Sequence, residues 1–301
     1  MKKYLCFIFI ILLFFFKSVK AEDLNLEEEI ISFDKINNFS LQGFTTANKY
    51  LFMVLVESDD LSSIIQVYDL DTYELVKSYA YKSLGHANDV TYNKKTNKLY
   101  ILRADGSSLV EVFDGNNWRH EKTIDVKLPI RSITYVDSED QYYVRTVATG
   151  FRLDNKLNWN NKIPFIIGMN FNNDIGRQGW EYYNGFIYYT NWSWIRLGGD
   201  GSNIIYVYDL KGNMRQYLHT KEDIGEVEGI AFYNNKMILG FNGYDKKIKF
   251  YISDIPSVPE MEPSKEDKEI KEESKSYKIY YIGGLIIIFT IIWKAKNKMC
   301  K

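Results

Sequence analysis

The chain has 301 residues, with 38 Lys and Arg set against 39 Asp and Glu, for a formal net charge of −1. That balance leaves no basic patch and excludes a nucleic-acid partner. The two cysteines, Cys6 and Cys300, stand at opposite ends, so the body between them has no disulfide and depends on its own core.

In the first segment, Lys2 and Lys3 precede an apolar run from Tyr4 to Phe16, and Val19-Lys20-Ala21 offers small residues for cleavage. This predicts a secretory signal peptide over residues 1–21. Cys6 lies inside the run rather than at its end, which argues against a lipoprotein-type cut. The following segment, residues 22–255, spans about 235 residues and is long enough to bury a core.

That body repeats. IIQVYDL (64–70) and IIYVYDL (204–210) are near duplicates, with weaker copies LVEVFDG (109–115) and IKFYISD (248–254). Each alternates apolar and mixed residues and ends in a turn former, so each predicts a strand. Roughly twenty residues before them sits a strand–turn–strand unit: LQGFTTANKYLFMVLV (41–56), HANDVTYNKKTNKLYIL (86–102), RQGWEYYNGFIYYTN (177–191) and VEGIAFYNNKMILGF (227–241). A fifth copy, IRSITYVDSEDQYYVR (130–145), precedes GFRLDN (150–155).

Aligning the five copies puts Gln42, Asn88, Arg131, Gln178 and Glu228 in one column, at spacings of 46, 43, 47 and 50 residues. A period of this length, with three or four strands per copy and almost no helical pattern, predicts an all-β fold, a β-propeller of five blades. The last copy lacks an outer strand, and EEEIISFDKI (27–36) has no blade of its own. Pairing of 27–36 with 246–255 is therefore expected to close the ring and remove an exposed edge.

The units EGIAFYNNKMILGF and HANDVTYNKKTNKLYIL resemble the blades of the broad NHL, YncE and SMP-30/gluconolactonase propeller families, over residues 41–254. The resemblance is architectural, and it implies six or seven blades as the alternative count. It also implies a divalent ion on the axis, held by carboxylate and amide oxygens from separate blades. Glu228 and Asn88 fall on matching positions, and Gln42 and Gln178 could add amide oxygens suited to Ca²⁺. The expected state has no required cofactor, with Ca²⁺ or another divalent ion as the alternative.

The aligned column begins the innermost strands, so its side chains are expected to ring the axis, flanked by His86 and Asp89, with Glu226 and Arg177 nearby. Such a ring suits a small polar ligand, carbohydrate included. It is equally able to satisfy itself through a Glu228–Arg131 pair and amide hydrogen bonds. Trp192 and Trp194, in TNWSWIRLGGDGSN (190–203), are expected on one face of a protruding hairpin, as a stacking surface or as a cap on the blade core. Trp180 is expected in the core. Asn38 and Asn191 begin glycosylation sequons, relevant only in a eukaryotic secretory route.

Residues 256–277 carry prolines and dense mixed charge and predict a stalk. IYYIGGLIIIFTIIW, within 278–294, predicts a transmembrane helix, and the lysines of 295–301 a cytoplasmic tail. The sequence as a whole predicts a single-pass cell-membrane protein whose propeller lies outside the cytoplasm. Its expected role is binding or scaffolding, towards a small polar ligand or a surface protein. The competing expectation is a metal-dependent, lactonase-like or glycoside-acting hydrolase.

Overall fold

The structure is a computed structural model, and it describes residues 20–82, 84–103, 107–146, 150–158, 163–165, 177–192, 202–220 and 224–259. Residues 1–19 of the expected leader, Trp194, most of the stalk, the apolar C-terminal run and the tail lie outside the described residues. Among the described residues no helix is long and apolar enough to cross a membrane.

Alternating burial and short turns build four-stranded antiparallel sheets in sequence order. Blade 1 is β3 (Phe39–Ala47), β4 (Tyr50–Glu57), β5 (Ser62–Asp69) and β6 (Leu75–Lys82). Blade 2 is β7 (Asp89–Asn93), β8 (Lys98–Leu102), β9 (Leu109–Asp114) and β10 (His120–Asp125). Blade 3 is β11 (Ser132–Val136), β12 (Gln141–Arg145), β13 (Gly150–Leu153) and β14 (Ile163–Phe165). Blade 4 is β15 (Arg177–Tyr183), β16 (Phe186–Trp192), β17 (Asn203–Asp209) and β18 (Met214–Thr220). Blade 5 is β19 (Gly225–Tyr233), β20 (Lys236–Gly243) and β21 (Lys247–Asp254), completed by β2 (Glu28–Asp34) from the N-terminal side.

The innermost strands neighbour one another in a closed circuit, β3 to β7 to β11 to β15 to β19 and back to β3. The five-bladed propeller is therefore the fold, and five is the blade count. Closure follows the expected pairing: β2 lies antiparallel on β21, with Asp34 opposite Lys247 and Glu28 opposite Ile252. Ile30 and Ile31 of β2 are buried against Phe39, Leu41 and Phe250, each contributing on the order of 2 kcal/mol of apolar burial.

One strand is absent from the sequence reading. β1 (Lys20–Leu24) adds to the outer edge of blade 4, parallel to β18, with Lys20 opposite Gln216 and Leu24 opposite Thr220. It begins at the expected leader boundary, and a cut after Ala21 would leave Glu22 to Leu24 of it. Leu24 is buried, and Gln216 Nε2 donates to Glu22 Oε2 at 2.7 Å.

Apolar side chains gather into five clusters, one at each blade junction. The high aromatic content is spent here. Tyr143, Trp180, Tyr189 and Tyr208 fill the junction of blades 3 and 4, and Tyr100, Tyr135 and Tyr142 that of blades 2 and 3. Trp180 is core, as expected. The turns between inner strands use asparagine in the left-handed region, at Asn48, at Asn184 before Gly185, and at Asn234-Asn235, where its penalty is small. Asn191 is buried in β16 and unavailable for glycosylation in the folded chain.

Candidate functional site

The repeat alignment can be followed down the axis, layer by layer. The first layer is the predicted ring. Gln42, Gln178 and Glu228 each occupy a β-bulge at the beginning of β3, β15 and β19, a distortion that re-aims a side chain. Asn88 and Arg131 immediately precede β7 and β11. Asn88 Nδ2 donates to the Arg131 carbonyl at 3.0 Å, and Gln178 Nε2 donates to Glu226 Oε1 at 2.8 Å.

Glu228 is buried, and Asn242 Nδ2 donates to its Oε1. The contact of Glu228 among the described residues is with Asn242, which also bonds both backbone groups of Leu41, and not the Arg131 pair considered from the sequence. Burial holds the Glu228 carboxyl well above the usual carboxylate range, reinforced by the charge of Glu226. Gln42 Oε1 and Glu228 Oε2 are buried and accept no hydrogen bond from the described residues.

His86 stands apart from this ring. It is exposed at the rim, with Nδ1 3.4 Å from Asp60 Oδ1. Trp192 is half-buried and packs on the core between blades 4 and 5.

The next layer is Gly43, Asp89, Ser132, Gly179 and Gly229, and here the axis is filled. Asp89 Oδ2 accepts the backbone N–H of Ile133 at 2.8 Å and of Trp180 at 3.4 Å, while Oδ1 accepts that of Val90 at 3.1 Å. One carboxyl thus ties β7 to β11 and, across the axis, to β15. The glycines make room for it. A Cβ on Gly179 would lie 2.7 Å from Asp89 Oδ1, and one on Gly43 would lie 2.8 Å from the Ala87 carbonyl oxygen. Burial raises Asp89 above the ordinary range against the pull of those N–H groups, and the carboxyl is held inside the ring as a tie between strands.

Two residues further on, the aligned positions are Thr45, Thr91, Thr134, Glu181 and Ala231. Thr45 Oγ1 donates to Glu181 Oε2 at 3.1 Å, and Thr134 Oγ1 donates to Oε1 at 3.0 Å. The Tyr182 N–H is 3.2 Å from the same Oε1. Burial pushes the Glu181 carboxyl up to about 8 despite these bonds.

Above Glu181 the axis opens into a cavity of about 430 Å³, within the range of small-ligand sites. Every inner strand contributes to its wall. β3 and its turn supply Thr45, Thr46 and Asn48; β7 supplies Tyr92 and then Lys94; β11 supplies Tyr135 and then Asp137. β15 and its turn add Glu181, Tyr182, Tyr183 and Asn184, and β19 adds Phe232. Lys94 and Asp137 form an ion pair at the rim. The Tyr183 and Phe232 rings stack at 4.4 Å. This cavity lies at the finishing ends of the inner strands, whereas the predicted ring lies at their beginnings. Sequence reasoning missed Glu181, although the same alignment extended by three positions reaches it.

At the positions expected to hold a divalent ion, Asn88 uses its Nδ2 on a carbonyl, Gln42 Oε1 and Glu228 Oε2 have no hydrogen-bond partner among the described residues, and no group of three or more His, Cys, Asp or Glu among those residues could hold a metal.

No protein-family model matches the chain, and no curated protein matches it in sequence. Among solved structures, it is similar to a chain of the nidogen/laminin complex, at 11% identity and a TM-score of 0.45, covering 73% of this chain and 82% of that one. It is also similar to the Pan2 WD40 domain of Neurospora crassa, at 12% identity and a TM-score of 0.35, covering 73% of this chain and 64% of that one. A third likeness is to hydrazine synthase of Kuenenia stuttgartiensis, at 14% identity and a TM-score of 0.39, covering 68% and 56% of the respective chains.

Proposed function

We propose that this protein is a membrane-anchored, extracytoplasmic β-propeller that binds a small polar ligand in the axial cavity above Glu181. The observation that carries the binding role is convergence: residues from all five inner strands surround one cavity whose floor is the half-buried Glu181 carboxyl. A rigid ring with interlocked cores holds such a site without a lid. The first-layer ring of Gln42, Asn88, Arg131, Gln178 and Glu228 is proposed as a second contact region. Its support is the two buried acceptor oxygens of Gln42 and Glu228 that no described residue satisfies.

Anchoring rests on the apolar run at 279–293 and the lysines after it, and export rests on the N-terminal run. Kinship with the NHL, YncE and SMP-30-type propellers is proposed at the level of architecture, from the blade units quoted above. A hydrolase reading has less support, since Asp89 is consumed as a backbone tie.

Binding is tested by thermal melts of the full chain against a panel of neutral sugars, zwitterions and amines, with wild type beside Glu181→Gln. A ligand of the native cavity raises the wild-type melting temperature, and the variant should lose or change that rise. A panel that moves neither protein sinks the reading. Topology is tested at Cys300, the one cysteine beyond the leader. A membrane-impermeant maleimide should label it only after cells are permeabilised; labelling of intact cells would put the tail outside.

A further inference from the structure

We propose that the ligand of the axial cavity is an organic ammonium ion, with Glu181 as its counter-charge and the surrounding aromatic rings as its wall. The inference rests on the binding reading above and narrows it to one chemical class.

The argument comes from what the cavity has left to offer once its internal hydrogen bonds are assigned. Five of its lining residues are aromatic. The hydroxyls of the four tyrosines are turned to other partners: Tyr92 to Asn97 at 2.8 Å, Tyr135 to Asp140 at 2.6 Å, Tyr182 to Ser138 at 3.0 Å and Tyr183 to Asn235 at 2.9 Å. Thr46 Oγ1 donates to the Phe232 carbonyl at 2.6 Å, and the Thr45 and Thr134 hydroxyls are committed to Glu181. A sugar needs many directional partners, and here they are mostly spent. What remains is ring surface, a carboxyl and, at the turns, the amides of Asn48 and Asn184.

Charge points the same way. Lys94 and Asp137 neutralise each other at the rim, so the uncompensated ionisable group of the cavity is Glu181. Its Oε2 accepts only Thr45 among the described residues, which leaves an acceptor position open. Beneath it, on β7, Asp89 is buried and raised well above the ordinary carboxylate range, and the two carboxyls oppose each other's ionisation. The remaining ionisable groups at the site are the four tyrosines. Aromatic faces attract an alkylated cation, most strongly where water is excluded, and a desolvated carboxylate gains most from a cation beside it.

Burial keeps a proton on Glu181 in the empty cavity below about pH 8. An ammonium ion replaces that proton: the O–H bond of the carboxyl breaks, the proton passes to solvent, and the carboxylate pairs with the ligand. One charge enters and one leaves. Affinity should then fall by about tenfold for each pH unit below the Glu181 transition.

The test is calorimetric titration of the full chain with choline and with its uncharged tert-butyl isostere, in two buffers of different ionisation heat, across neutral and alkaline pH. Choline should bind at least about tenfold more tightly than the isostere, with close to one proton released at neutral pH. Glu181→Gln, nearly isosteric, should abolish both the preference and the proton release. Phe232→Leu keeps the apolar volume and should weaken choline several-fold while leaving the isostere unchanged. Equal binding of the two probes, a choline preference that survives Glu181→Gln, or no binding of either would overturn the inference. If a neutral sugar binds instead and the Glu181 variant alters it, the ammonium class fails while the broader binding reading stands.

Discussion

The Glu181 carboxyl ties stability to pH in a direction opposite to that of most surface acids. In the native chain it titrates near 8 instead of 4.5, so across that interval the folded state holds a proton that the unfolded state has released. Stability must therefore fall as pH rises from about 5 to about 8 and level off beyond. At about 1.4 kcal/mol per tenfold change in proton affinity, complete burial would cost the fold about 5 kcal/mol in alkaline solution. Solvent reaching the cavity floor reduces this to about 2–3 kcal/mol. Glu181→Gln removes the titration while keeping the shape. Glu228, which is also raised by burial, contributes to both proteins and cancels in the difference, whereas Asp89 loses the opposing charge of Glu181 in the variant and ionises more readily there. Urea unfolding of wild type and variant at several pH values supplies the measurement. The variant should be close to wild type near pH 5 and gain about 2–3 kcal/mol relative to it by pH 9. Parallel stability curves, or a difference that opens below pH 5, would refute the assignment of a buried, proton-holding carboxyl.

Three further outcomes test the frame around the cavity. Asp89→Asn leaves one carbonyl oxygen for three backbone donors on β7, β11 and β15 and should destabilise by about 2–3 kcal/mol, read from the urea midpoint. Gly179→Ala places a methyl group against Asp89 and should cost about 1–3 kcal/mol. Gly185→Ala, at a positive φ but in open space, should cost about 1 kcal/mol, so a reversed order of these two would discredit the filled axis. Ile31→Ala in the closing strand should lower stability by about 2–4 kcal/mol, and a negligible effect would mean that β2 does not seal blade 5.

The architecture was legible because each blade repeats the same polar position before an alternating strand. A mark that recurs at a fixed interval survives even when the residue identities drift from Gln to Asn to Arg to Glu. The closing strand was legible for a related reason, since EEEIISFDKI had strand character and no partner while the last copy lacked a strand. The cavity above Glu181 lies at the opposite mouth from the column read in the sequence. The alignment stopped at the first polar column, and the bulges that set Gln42, Gln178 and Glu228 there cannot be seen in a linear pattern. Glu181, inside GWEYY, reads as the solvent-facing position of an ordinary strand, and Thr45, Thr91 and Thr134 read as β-branched filler. Only the ring geometry places them at one level. β1 was hidden because its residues coincide with the end of the expected leader, where small and charged residues have another explanation.

The position of β2 also bears on how the ring would carry force. β21 is the last strand among the described residues, yet it lies inside its sheet, between β20 and β2. Tension arriving from the side of residue 259 would draw β21 lengthwise against two antiparallel ladders at once. The hydrogen bonds of both ladders would be sheared together. A propeller closed by its C-terminal strand would instead present that strand at the sheet edge, held on one side and free to peel bond by bond. Closing the ring with the N-terminal strand makes the C-terminal end of the propeller the mechanically strong one.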